Sequence, residues 1–111
     1  MQVLPKSLRK RNRYLVFKVH ADGDVDRRLL VKSILQTHLR LYGEAYAGLH
    51  GVWVLDYDGG VKKGVLKCVH KYVGEARAAL TLVKGFGKHK GFIEVEKTCG
   101  TLKKARSLVS G

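Results

Sequence analysis

RYLVFKVHADGDVDRRLLVKSILQTHLRLY, residues 13–42, changes its hydrophobic period halfway, and that change decides the fold. Over residues 13–20 the side chains alternate. Leu15, Phe17 and Val19 fall on one side of an extended chain, and Tyr14, Val16 and Lys18 on the other. This predicts a strand with one strongly apolar face. Ala21 to Gly23 form a turn. Asp24 can then cap a helix, with Asp26 favourable in its first turn. The helix runs to about Tyr42, with Leu30, Val31, Ile34, Leu35, His38, Leu39 and Leu41 as a broad apolar stripe and Gly43 as its stop.

The remaining elements follow from the same two periods. After a loop containing Gly48 and Gly51, residues 52–57 (VWVLDY) form a second strand. Asp58-Gly59-Gly60 is a hairpin signal, and residues 61–69 return as a third strand. A second helix near residues 72–84 carries Val73, Ala76, Leu80 and Val83 on one side and ends at Gly85. GFGKHKG (85–91) reads as a basic loop, and residues 92–98 as a fourth strand with Ile93 and Val95 inward. Thr101 can cap a third helix over 102–109. The order β-α-β-β-α-β plus a terminal helix is α+β, of the ferredoxin-like or RRM-like sandwich type. Two helices cover one face of its antiparallel sheet, leaving the other to the extra C-terminal helix or a partner. Two units are expected: a basic N-terminal arm (1–12) and a single sandwich domain (13–111), the usual length for one domain.

Charge narrows the function. Lys plus Arg number 22 against 9 acids, a net charge of +13. Self-repulsion of this size is relieved by a polyanion, and counterion release makes nucleic acid the leading partner. No run approaches the ~20 apolar residues of a membrane span. No apolar segment follows the N-terminal charges as a secretory signal requires, so a cytoplasmic location is expected. No stretch joins a strongly apolar helix face to a basic one, so a membrane surface ranks well below RNA. The cations form two constellations. Lys6, Arg9, Lys10, Arg11 and Arg13 precede and enter the first strand. Lys84, Lys88 and Lys90, with His89, occupy the glycine-rich segment, followed by Lys97, Lys103, Lys104 and Arg106.

Other chemistries are weaker. DGDVD (22–26) imitates a calcium loop, but Arg27 stands where the glycine belongs and Ser33 where the closing glutamate belongs. Asp56 and Asp58 would suit metal-assisted cleavage, yet beside Gly59-Gly60 they better serve a hairpin turn. Cys68 and His70 are two apart on a strand without a second ligand pair, which favours a buried structural cysteine and a surface histidine. No GxSxG or comparable nucleophile motif occurs. The sequence thus offers no catalytic residue and no metal ligand.

Three stretches carry a family resemblance: LPKSLRKRNRYLVFKV (4–19), GGVKKGVLKCVHKYVGEARAALTLV (59–83) and CGTLKKAR (99–106). They resemble the archaeal ribonuclease P protein component 2 family, shared with eukaryotes as the Pop-five family. The matching features are L-P-x-x-L-R-x-x-x-R-Y, then R-x-A-L-T-L-V from Arg77 to Val83, then G-T-[LI]-[KR] from Gly100 to Lys103. Two departures stand out: Cys99 replaces a usual serine, and a short turn near 58–61 replaces a longer acidic loop. The resemblance implies a ferredoxin-like subunit of an endoribonuclease, the ribonucleoprotein that removes the 5′ leader of precursor transfer RNA. Catalysis and magnesium ions (Mg2+) would belong to the ribonuclease P RNA, with no cofactor bound by this chain. A protein component 3 of the Rpp-thirty type would be its partner, in a two-plus-two heterotetramer. The alternative is a free-standing RRM-like RNA-binding protein that stacks bases on Tyr14 or Phe92. A small nuclease built on Asp56 and Asp58 is a third reading.

Overall fold

The computed structural model describes residues 11–110. Its elements are β1 (Asn12–Ala21), α1 (Arg27–His50), β2 (Trp53–Asp58), β3 (Lys63–Val69), a 3-10 turn (His70–Tyr72), α2 (Val73–Thr81), β4 (Gly85–Phe86), β5 (His89–Cys99) and α3 (Leu102–Ser110). The strands lie in the order β2-β3-β1-β5-β4, and the pairings are antiparallel. Without the two-residue β4 this is the ferredoxin-like sheet expected from the element order.

The alternation of β1 is realised on both faces. Leu15, Phe17 and Val19 enter the main core with Leu66, Cys68 and Ile93, beneath Leu30 and Ile34 of α1 and Ala76 and Leu80 of α2. On the opposite face Val16 joins Val65, Cys99 and Ala105 in a second, smaller cluster, with Tyr14, Leu102 and Val109 packed against it. Thus α3 covers one end of the second face. Thr101 caps it as predicted, its Oγ1 accepting from Lys104 N at 3.3 Å.

Several boundaries differ from the sequence reading. Asp26, not Asp24, caps α1: its Oδ1 accepts from Leu29 N at 2.8 Å. Gly43, at φ +81° and ψ 168°, breaks the helical run where its stop was expected, but a second helical stretch follows directly and carries Gly48, expected in a loop, so α1 continues across a kink. The stop is Gly51, left-handed at φ 62°. Tertiary contacts hold the extension. His38 Nε2 and His50 Nδ1 lie 2.9 Å apart, both rings buried, so one nitrogen donates and the other accepts across the break. Tyr42 and Tyr72 flank His50 at 4.8 and 4.7 Å between ring centroids. Tyr42 Oη donates to the Glu75 carbonyl at 3.1 Å, tying α1 to α2. The second helix stops at Thr81, short of the expected 84.

GFGKHKG, expected as a loop, folds instead into a hairpin. Gly85 pairs with Lys90 and Phe86 with His89. Gly87 takes φ +62°, as the first central position of a tight II′-type turn requires. Phe86 is fully buried, so the hairpin is pinned against α1 by its own side chain.

Candidate nucleic-acid interface

Strand direction sorts the candidate cations differently from chain order. β5 carries Lys90 near its start and Lys97 near its end. Seven residues of strand separate them by ~23 Å. The second constellation is therefore split. Lys84, Lys88 and Lys90 are exposed at the hairpin end of the sheet, beside the end of β1 where Ala21 pairs with Gly91. Lys103 and Lys104 are exposed on the first turn of α3, at the other end. Tyr14 pairs with Cys99, so the start of β1 lies at that same end. Arg11 and Arg13 thus come near the α3 cations. Arg11 is exposed, but its carbonyl accepts from His70 N at 2.6 Å, which fixes the backbone. Arg13 is half-buried opposite Cys68. Lys6, Arg9 and Lys10 lie outside the described residues.

Some cations already have protein partners. Arg106 Nε donates to Asp56 Oδ2 at 2.6 Å, linking α3 to β2. Lys63 pairs with Glu96 at 3.2 Å, and Lys97 lines the same small cleft beside Val16 and Leu108. Arg27 donates to the Val54 carbonyl at 2.8 Å, Lys62 to the Gly23 carbonyl at 3.0 Å, and Arg77 to Thr98 Oγ1 at 2.8 Å. These contacts hold elements together, and each is made at the cation's own head group.

The uncovered part of the second sheet face is charge-matched rather than basic. Phe92 stacks on His20 at 4.7 Å with the rings 16° from parallel. His20 Nε2 lies 2.8 Å from Glu94 Oε1. Glu94 and Glu96 would repel phosphates approaching Phe92. Tyr14 packs beneath α3. Base stacking on this sheet, as an RRM-like reading requires, is disfavoured on both counts.

The weaker chemical candidates separate as well. Asp58 Oδ1 accepts from Gly60 N at 2.9 Å, the hairpin role expected for it, whereas Asp56 faces Arg106. Cys68 points into the core, and burial raises its thiol pKa to about 11, so it stays protonated and unreactive at neutral pH. β3 ends at Val69, which turns His70 outward to solvent. Among the described residues no three His, Cys, Asp or Glu side chains converge as metal ligands. No described helix is long and apolar enough to cross a membrane.

Arg40 escaped the sequence reading because α1 was read for its apolar stripe. It lines a cleft with Lys84 at the hairpin end. The signal was present as polar residues at i, i+3, i+4 and i+7 from Ser33 to Arg40.

A ferredoxin-like sandwich with exposed cations gathered at both ends of its strands defines the class of protein. Comparison with known proteins makes this specific. The Rpp14/Pop5 family model matches residues 13–109. Ribonuclease P protein component 2 of Pyrococcus horikoshii is 30% identical over 106 residues, covering 96% of this chain and 88% of that protein. The protein of the same name from Archaeoglobus fulgidus is also 30% identical over 106 residues, covering 96% and 94%. A chain in the cryo-EM structure of yeast ribonuclease MRP shares the fold, with TM-score 0.65, 10% identity, and 95% and 90% of the two chains covered. The chain belongs to the Rpp14/Pop5 family.

Proposed function

We propose that this chain is a protein subunit of ribonuclease P, supporting a catalytic RNA in removal of the 5′ leader from precursor transfer RNA. The family match over residues 13–109 carries the reading. The net charge of +13 supplies the physics: phosphates neutralised by lysine and arginine release counterions and lower repulsion between RNA segments. Cations at both ends of the sheet can brace two RNA segments at once. On this reading the RNA holds the catalytic Mg2+, since exposed lysines repel a divalent cation and attract the phosphates that bind it. The chain works in the cytoplasm, where its two free cysteines stay reduced. Its protein partner is a component 3 of the Rpp-thirty type, in a two-plus-two heterotetramer. Exposed Leu39, Tyr46 and Leu49 on α1 give such a partner apolar surface.

Reconstitution tests the proposal. The chain and its partner are added to a ribonuclease P RNA, and leader removal is followed as Mg2+ is lowered. Cleavage should persist at Mg2+ concentrations where the RNA alone fails. No gain over RNA alone would overturn the reading.

A further inference from the structure

We infer that the cleft between α1 and the β4–β5 hairpin is an RNA-strand site, holding a phosphate at its cationic end and the adjoining nucleoside against an apolar shelf. The inference rests on the ribonuclease P reading above and locates one of its RNA contacts. Ser33, Gln36, Thr37 and Arg40 recur at i, i+3, i+4 and i+7 and present one stripe of α1. Facing them are Lys84 and the glycines of the hairpin, enclosing about 290 Å³. Hydroxyl, amide, guanidinium and ammonium groups can all donate to phosphate oxygens, and no carboxylate lines the cleft. Neither Arg40 nor Lys84 has an ion-pair partner among the described residues. That contrasts with Lys63 and Arg106, whose partners are protein carboxylates.

A second hollow lies beside the cleft. Thr37, Arg40 and Lys84 also border this hollow of about 370 Å³, walled by Leu41 and Leu82. Both leucines are more than 40% exposed, Leu82 directly after the end of α2. Cations beside an exposed apolar wall match a nucleotide, with phosphate at one end and base and ribose at the other. The walls are also preformed. Phe86 is buried, and a Cβ on Gly87 would come within 3.1 Å of Leu29 Cδ1, so the hairpin lies directly against α1. The +13 charge of the whole chain favours a polyanion, and the apolar wall beside the cations fits the base and ribose of RNA better than the carboxylates of an acidic protein segment.

The test is binding of a short fluorescein-labelled oligouridylate to the full chain over a salt series, followed by anisotropy. In the double variant Arg40→Gln/Lys84→Gln the slope of log K against log salt should fall by about 0.7 for each phosphate that is no longer neutralised. Arg40→Lys should keep the slope. Thr37→Val should weaken binding by about two- to tenfold at unchanged slope, since it removes a hydrogen bond and no charge. Lys71→Gln, outside the cleft, should leave affinity and slope close to wild type. All these side chains are on the surface, and unchanged circular dichroism will show that the fold is intact. If the double variant binds as wild type does, the cleft is not an RNA site, while the ribonuclease P reading stands. If the double variant loses only a polyglutamate probe, the cleft docks acidic protein and the inference falls. If wild type itself does not bind the oligouridylate, the inference falls, while the ribonuclease P reading is decided by the reconstitution above.

Discussion

His38 and His50 hold the break in α1 closed, and the titration of His38 gives the protein a pH dependence. Burial, reinforced by His50, lowers the His38 pKa from 6.5. The groups facing the pair are Tyr42, Tyr72 and, through the Tyr42 hydroxyl, the backbone of Glu75. No carboxylate is bonded to either ring to offset a positive charge. Because the folded pKa lies below the unfolded one, the unfolded state takes up the proton first. Stability is therefore full above pH 6.5 and declines as pH falls below it. Urea midpoints measured from pH 8 down to pH 5 should fall in that window. His38→Leu should flatten the decline and cost about 1–3 kcal/mol at pH 8, because it leaves a buried nitrogen of His50 without its partner. An unchanged pH profile in that variant would refute the assignment.

At the scale of elements, two glycines of one helix should respond oppositely to the same substitution. Gly51 ends α1 at φ 62°, and a Cβ there would meet Val69 Cγ2 at 2.9 Å. Gly51→Ala should destabilise by about 1–2 kcal/mol for the left-handed backbone alone. Gly48 lies inside the helix with nothing within 4 Å of an added Cβ. Gly48→Ala should stabilise by about 0.5–1 kcal/mol. Denaturant unfolding of both variants checks the pair. The terminal helix offers another test. Ala105 is fully buried between α3 and β1, so Ala105→Asp should release α3 and uncover Cys99. A thiol reagent should then label one cysteine under native conditions, while Cys68 in the main core stays protected. Labelling of neither, or of both equally, would contradict the two-cluster packing.

At the scale of the whole molecule, the separation of the exposed cations is what matters for RNA. Lys88→Gln/Lys90→Gln removes charge at one end of the sheet and Lys103→Gln/Lys104→Gln at the other. Sites ~23 Å apart should not couple, so the free-energy losses on a ribonuclease P RNA should add within about 0.5 kcal/mol. A short oligonucleotide that reaches one end only should sense one pair and not the other. Filter binding with both RNAs distinguishes this from a single contiguous patch, for which a short RNA would sense both pairs.

Period and turn chemistry determined much of this protein on their own. The two-residue alternation of Leu15, Phe17 and Val19 announced β1, the 3.6-residue recurrence of Leu30 and Ile34 announced α1, and the Asp58 turn and Thr101 cap stand where local hydrogen bonding puts them. These signals are local, and so they survive in the sequence. What only the tertiary structure decided depends on partners distant in the chain. The stretch after Gly43 reads as loop until His50 meets His38, and GFGKHKG reads as loop until Phe86 finds the core. Lys90 and Lys97 are neighbours by composition but lie at opposite ends of a strand. Arg106 reads as one more surface cation until Asp56 crosses from β2, and Arg40 acquires a role only when Lys84 is folded up against it. A sequence displays which charges a chain has, but the strand directions and pairings of the folded sheet determine which of them share a surface.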